Sequence, residues 1–396
     1  MPQQDLSEFA IAAEAFLADH YPRRSAGSLD GSDQISVIPE RTAAEEVPEL
    51  RAARAWRATL FDAGYGWIDG PVAHGGQGLS AEHAAVFRDL EQSFAVPDEG
   101  YTRFSAAIFC PTLLQHGSTE LATSYLAALR RADLVACQLF SEPDAGSDLA
   151  AVRTRAVRDG DGWLLTGQKV WTSGAHYSDV GMVLARTDPE ASKHGGLSVF
   201  LLDMKQPGVQ VRPIKQLTGG ASFSEVFLTE ATVPDSHRIG ELNQGWQVIT
   251  TTLMHERAVI GADGGIDVEL VPRLVHLAQQ SGAWSDASIR DAIAEIHVRA
   301  QANQAMTQRF LRLAGVGNAP GPEMSASKLL LTDNLQRISL VAQRILGQSF
   351  ATDTGERGTF GWSQLALTLP GLRIGGGTDE VLRTILAQRV LGLPRS

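Results

Sequence analysis

Two stretches of the chain hold residues whose types and spacing could do chemistry. The first is Leu139 to Ala151, LFSEPDAGSDLAA, where an apolar run becomes a tight acidic turn with glycine and serine at its centre. Gly146 has no Cβ, so its backbone tolerates positive φ and the close approach of a ligand. Ser141 and Ser147 add hydroxyls, and successive N–H groups in such a turn can form an anion-binding nest. The same composition also makes an ordinary turn. The second stretch begins at Trp246 and reads WQVITTTLMHERAVIGA. Ile249, Leu253, Glu256 and Ile260 recur there at spacings of four, three and four, one face of a helix. Burial disfavours the charged form of a carboxylate on such a stripe and raises its pKa, unless a cation pairs with it. Facing a cavity with a raised pKa, Glu256 would serve as a general base near neutral pH. Paired with an arginine it would be a buried structural acid, and on a stripe rotated off the core it would be an ordinary surface glutamate.

The elements that must carry these residues follow from periodicity. Residues 1 to 135 read as a helical domain: Phe9, Ala13, Phe16 and Leu17 recur at helical spacing, as do Leu50, Ala53, Trp56 and Leu60. Ser80 stands as an N-cap before AEHAAVFRDLEQS. Residues 136 to 240 change to short β-rich runs broken by DGDG, TSG, KHGG, QPG and LTGG, with a hairpin at Asp159–Gly162. This predicts an antiparallel β domain, sandwich or barrel. From 241 to 396 four long amphipathic patterns predict a helical bundle. The expected fold class is therefore α+β, in the order α, β, α.

With 396 residues, two or three packed units are expected. The net charge of −11 argues against a nucleic-acid surface, while local cations and helix N-termini still allow an anionic cofactor. Cys110 and Cys137 are too few for a disulfide framework, and no metal-ligand spacing occurs. The N-terminal stretch has acidic residues within its apolar pattern and no basic n-region, and no apolar run reaches eighteen residues. No signal peptide, no membrane insertion and a cytoplasmic location are the expectations.

The motifs then carry a resemblance. Glu142-Pro143-x-Ala145-Gly146-Ser147-Asp148 resembles the first signature of the acyl-CoA dehydrogenase family, and the order of features is similar over almost the whole chain. The resemblance implies the α–β–α architecture, an FAD cofactor, an acyl-CoA substrate, an electron-transfer flavoprotein as acceptor and an oligomer, a homo- or hetero-tetramer. Ser141 takes the place of a threonine that meets the isoalloxazine edge, flanked by Gln138 and Phe140. Lys169-Val-Trp171-Thr172-Ser173 resembles the strand on which Trp171 would cover the ring and Ser173 would bond N5. Thr378 and Glu380 match positions at the adenylate half of FAD. Ser147 matches the serine beside the CoA pantetheine and pyrophosphate, and Arg257 the arginine beside the nucleotide.

His255-Glu256-Arg257 is similar to the helix segment where isovaleryl and long-chain members carry the catalytic glutamate. The more usual site is a Tyr-Glu-Gly-Thr motif, and here Gly375-Gly376-Gly377-Thr378 stands there. A glycine cannot take a proton, so the resemblance makes Glu256 the base, while the Gly376 N–H would still hydrogen-bond the thioester carbonyl. The volume opened beside Cα implies a branched, ring-bearing or otherwise bulky acyl group. Two cross-subunit FAD segments depart from the family pattern. LVPRLVHLAQQSGAWSDASIRD has no Arg-x-x-Phe-Gly, and Arg344-Ile-Leu-Gly347-Gln348-Ser-Phe350 replaces the glycine-rich segment. Some actinobacterial sterol-side-chain members pair unlike subunits in this way. The competing readings are a base-donating or scaffold subunit of a heteromer, an oxygen-using oxidase or N-hydroxylase on the same fold, and a carrier-protein thioester in place of CoA.

Overall fold

The computed structural model describes residues 5–24, 43–262, 265–314, 321–352 and 359–394. They divide into two compact units, with the boundary inside one helix between Thr252 and Leu253.

The first unit opens with five helices: α1 (Leu6–His20), α2 (Ala43–Asp62), α3 (Ala81–Gln92), α4 (Gly100–His116) and α5 (Thr119–Arg131). Asp5 caps α1 by accepting from the Ser7 and Glu8 N–H groups at 2.8 and 3.3 Å, satisfying donors the helix itself leaves unpaired. Phe9, Ala13 and Leu17 of α1 are buried with Trp56 and Leu60 of α2 and Phe87 of α3, the stripe that the spacing predicts. Ser80 occupies the N-cap position of α3 but makes no capping bond; its hydroxyl pairs instead with His83 Nδ1 at 2.7 Å.

The strands are β1 (Ala136–Leu139), β2 (Arg155–Asp159), β3 (Gly162–Ser173), β4 (Val180–Arg186), β5 (Leu197–Asp203), β6 (Val209–Ile214), β7 (Phe223–Pro234) and β8 (Arg238–Ile239). They form one eight-stranded sheet in the order β6-β7-β3-β2-β4-β5-β8, with β1 alongside β4. The β2–β3 hairpin closes at Asp159–Gly162, where Gly160 takes φ +57°. Most pairings are antiparallel, but β1 runs parallel to β4, and β2 meets β4 in parallel at Arg155 and Arg186. A long loop and a hairpin intervene between β1 and β4, so the chain re-enters the sheet from the end at which β1 began. Turn spacing in the sequence carries no sign of such a return. In β4 and β5 nearly every residue is buried, the pattern of strands covered on both faces.

The helix α6 (Gly245–Ala262) crosses the unit boundary. The second unit continues with α7 (Ile266–Gln280), α8 (Ala287–Ala314), α9 (Met324–Leu346), α10 (Thr359–Ile374) and the short α11 (Asp379–Ile385). Four of them share one core, with Leu274 of α7, Ile293 of α8, Leu335 of α9 and Trp362 of α10. Asp267 lies fully inside it, its carboxylate taking the Asn334 Nδ2–H at 2.9 Å. No described helix is long and apolar enough to cross a membrane. Trp362 is 1% exposed at the centre of this core, so Trp362→Ala should cost about 3–5 kcal/mol, read as an earlier denaturant midpoint by circular dichroism.

Candidate active site

In the first unit the site begins with a lysine where the strand pattern calls for an apolar residue. Trp163, Leu165 and Lys169 share the inward face of β3, and Lys169 is 0% exposed. Its Nζ donates to the Phe140 carbonyl at 2.9 Å and to Glu142 Oε1 at 2.8 Å. Glu142 also accepts the Thr154 N–H at 2.8 Å and the Arg153 N–H at 2.6 Å. A further main-chain bond runs from the Val170 N–H to the Ser141 carbonyl at 2.9 Å. The start of the acidic loop is thus tied to β3, and the Glu142 carboxylate ties it in turn to the main chain at Arg153 and Thr154.

Burial pushes the Lys169 ammonium down to about 8 against the pull of Glu142. Burial also pushes the Glu142 carboxyl up, but Lys169 and the N–H donors outweigh it and hold the carboxyl below its ordinary value. The pair is therefore ionised at neutral pH.

The turn Glu142–Ala145 closes on itself through two reciprocal main-chain bonds of 3.0 Å. Beyond it Gly146 does not take positive φ, contrary to the expectation for this loop, and a Cβ built there meets nothing within 4 Å. The glycine leaves open space on the exposed side, where Ser147 also lies. Ser141 and Gln138 are half-buried and Phe140 is buried.

Trp171 is one of four described non-glycine residues of the unit at positive φ, with Ala132, Glu230 and Asn243. A bulge interrupts β3–β7 pairing between Lys169 and Thr172, giving β3 one residue more than its partner. That residue pair includes Trp171, at φ +60° in the left-handed region, with its side chain 57% exposed. The indole meets Phe223 edge-on at 6.3 Å between ring centroids. A non-glycine residue costs about 1–2 kcal/mol in this conformation, and such strain clusters at functional positions. Trp171 is not a core aromatic. Ser173, two residues on, is half-buried at the end of the strand. Phe140, Ser141 and Ser147 therefore belong to the tied loop, Trp171 and Ser173 to the strand that holds it, and Gln138 to β1, which leads into the loop.

In the second unit Glu256 is 9% exposed on α6. Ile249, on the same stripe, is fully buried and Leu253 half-buried, while the Ile260 side chain lies outside the described residues. The carboxylate has cationic company, for Glu256 pulls upward on the pKa values of both Arg257 and Lys328. The condition for an unpaired buried acid does not hold. Burial nevertheless leaves Arg257 below its ordinary value and Lys328 pushed down to about 8.

Arg257 is turned toward the glycine turn, its Nε 3.5 Å from the Gly376 carbonyl. Lys328 Nζ reaches the Gly375 carbonyl and the Gly377 carbonyl, the latter at 2.6 Å. Gly376 and Gly377 take φ +63° and +107°, which L side chains rarely adopt. Thr378 uses its hydroxyl as the N-cap of α11, accepting the Val381 N–H at 3.2 Å. Glu380 is exposed, held below its ordinary value by its own N–H and the Thr378 hydroxyl. The buried neighbour is Asp379, clasped by Arg373 at 2.8 and 2.5 Å. Glu256, Arg257, Gly376, Thr378 and Glu380 all fall within this unit.

Sequence reasoning gave no role to Lys169, Glu142, Lys328 or Asp379. A signal existed for the two lysines. Lys169 keeps the inward parity of β3, and Lys328 sits four residues after Met324 and three before Leu331 on the buried stripe of α9.

The chain matches the family model described as "Acyl-CoA dehydrogenase, middle domain" over residues 137–231 and "Acyl-CoA dehydrogenase, C-terminal domain" over 243–391. It is 36% identical to acyl-CoA dehydrogenase IpdE1 of Mycobacterium tuberculosis, with 99% of each chain covered. It is 35% identical to acyl-CoA dehydrogenase FadE34 of the same organism over 94% of this chain, but spans only 51% of that relative's length. Among solved structures it resembles the Tcur3481-Tcur3483 steroid ACAD, with a TM-score of 0.77, 30% identity and 99% and 98% of the two chains covered.

The Lys169–Glu142 pair yields a stability test. The folded pKa of Glu142 is below its unfolded value, so its contribution is present above the ordinary glutamate range and lost as pH falls through the folded value. Glu142→Gln leaves the ammonium buried without its counter-charge and should cost about 3–5 kcal/mol at neutral pH. Equilibrium denaturation of both proteins at several acidic pH values should also show the gap narrowing as pH falls.

Proposed function

Because the chain belongs to the acyl-CoA dehydrogenase family, we propose that it dehydrogenates a bulky acyl-CoA thioester with FAD, using Glu256 as base. The observation that carries this reading is a buried carboxylate on α6 with Arg257 and Lys328 about it, in a chain whose other family base position is Gly376. A Glu256 carboxylate oxygen takes the proton from Cα of the thioester. The Gly376 N–H donates to the thioester carbonyl, where negative charge grows as that proton leaves. FAD, when bound, supplies a hydride acceptor for Cβ.

The residues of the first unit fit a flavin. An indole held outward at a strained bulge offers a face for a planar ring, and Ser141 and Ser173 carry hydroxyls on the segments tied to it. Gln138 and Phe140 flank Ser141, and the open space at Gly146 and Ser147 suits the pantetheine and pyrophosphate of CoA. In the second unit Thr378 still has an O–H to donate toward the adenylate half. Glu380 is exposed and acidic, a feature that favours a hydroxyl over a phosphate as its contact. Arg257 turns inward to Gly376, which lends no support to its expected nucleotide contact.

A bulky, ring-bearing acyl group is favoured by the side chain absent at Gly376, in keeping with a structural relative described as a steroid ACAD. The electron acceptor is an electron-transfer flavoprotein, and the location is cytoplasmic. A second reading, a subunit whose FAD is completed by an unlike partner, has one specific support. Where a cross-subunit FAD segment is expected, α7 instead buries Leu270, Leu274 and Leu277 in its own core.

Glu256→Gln keeps the shape and removes the base, so turnover should fall by about 10²–10⁴-fold while flavin content stays the same. Near-normal turnover would move the base elsewhere. Assay with a ring-bearing acyl-CoA and with octanoyl-CoA should favour the former in kcat/KM, and the reverse order would remove the bulky-substrate assignment. Flavin counted per chain after purification alone separates the two readings: one equivalent means a self-sufficient site, a deficit means a heteromer.

A further inference from the structure

The mechanism above leaves one buried cation without a task. Lys328 is 4% exposed on α9, and it reaches two carbonyls of a turn made of three consecutive glycines. Glycine restricts its own backbone less than any other residue, so such a turn has no intrinsic reason to hold one shape. Something outside it must.

We propose that Lys328 is the positioning residue of the glycine turn, fixing and polarising the Gly376 N–H that meets the substrate carbonyl. The inference rests on the role given above to that N–H. The peptide between Gly375 and Gly376 is trans, for the described chain has no cis peptide bond. In a trans peptide the C=O and the following N–H point in opposite directions. Holding the Gly375 carbonyl therefore aims the Gly376 N–H directly away from the ammonium. The second bond, to the Gly377 carbonyl at 2.6 Å, pins the far side of the same turn. Arg257 Nε approaches the carbonyl between them at 3.5 Å. A cation on a carbonyl also draws electron density along the peptide and makes its N–H a better donor, the same polarisation that strengthens chains of hydrogen bonds.

The charged groups that face Lys328 are Asp379 from α11 and Glu256 and Arg257 from α6. The two acids favour the ammonium, while burial and Arg257 oppose it, leaving the lysine at about 8. The hold on the turn should therefore weaken as pH rises through that value.

The test uses the flavin-loaded protein and Lys328→Met, which keeps an unbranched stem and removes the charge and donors. Hydrogen–deuterium exchange of the peptide spanning 373–382, without substrate, should speed up about tenfold or more, while the α7–α8 peptides stay unchanged. With a ring-bearing acyl-CoA, kcat should fall about 10²-fold with KM little changed. The decline of kcat above about pH 8 should be absent from the variant. Should the methionine variant fail to fold, Lys328→Gln retains an amide donor and should give intermediate exchange and intermediate kcat. Unchanged exchange in that segment overturns the proposal, and so does an upper pH limb that persists. If exchange responds but Glu256→Gln remains active, the base assignment fails and the positioning role of Lys328 stands.

Discussion

A lysine with no solvent exposure, salt-bridged to a carboxylate on the loop it faces, is the constraint on which the first unit depends. Desolvating both charges costs about as much as their attraction returns. What the pair contributes is shape: among the conformations open to a loop rich in glycine, serine and aspartate, it favours those that bring Phe140 and Glu142 to the ammonium. Two residues beyond Lys169 the strand bulges, and the exposed indole of Trp171 is offered on a backbone already held by the pair and by the bond from Val170 to Ser141.

The second unit uses a buried ammonium differently. Lys328 meets main-chain carbonyls and no carboxylate at hydrogen-bonding distance among the bonds described, so it acts on dipoles of the backbone and feels Asp379 and Glu256 only through space. Asp379 is itself clasped by Arg373, which also bonds Gln336 at 2.5 Å, so α9, α10 and α11 converge on the turn that follows α10. One of the Asp379 oxygens is buried with no hydrogen-bond partner among the described residues. The cluster is thus stiff on one side and holds an unused acceptor on the other.

Much of this was legible in the sequence, because periodicity reports burial. The helical stripes of α1 and α2, the hairpin at Asp159–Gly162 and the burial of Glu256 all follow from spacing alone. The parallel placement of β1 was not legible, since it depends on a return of the chain after a long loop. Nor was the absence of a capping bond from Ser80, whose hydroxyl pairs with His83 instead. The two lysines were missed for another reason. Their type suggests a solvated surface, whereas their position in phase with buried residues points inward. A charged residue in phase with a buried stripe is informative whichever sign it carries.

The left-handed backbone at Gly376 and Gly377 also limits the evolutionary future of this chain. Placing an acid on the turn is a single codon change on paper. In the folded chain each L residue would bear about 1–2 kcal/mol of backbone strain, and a Cβ at Gly377 would press Leu382 at 3.1 Å. The carbonyl grip of Lys328 would resist the rotation that could relieve it. A side chain at either glycine is therefore disfavoured by the main chain, at a strain of the order that Trp171 bears in the first unit.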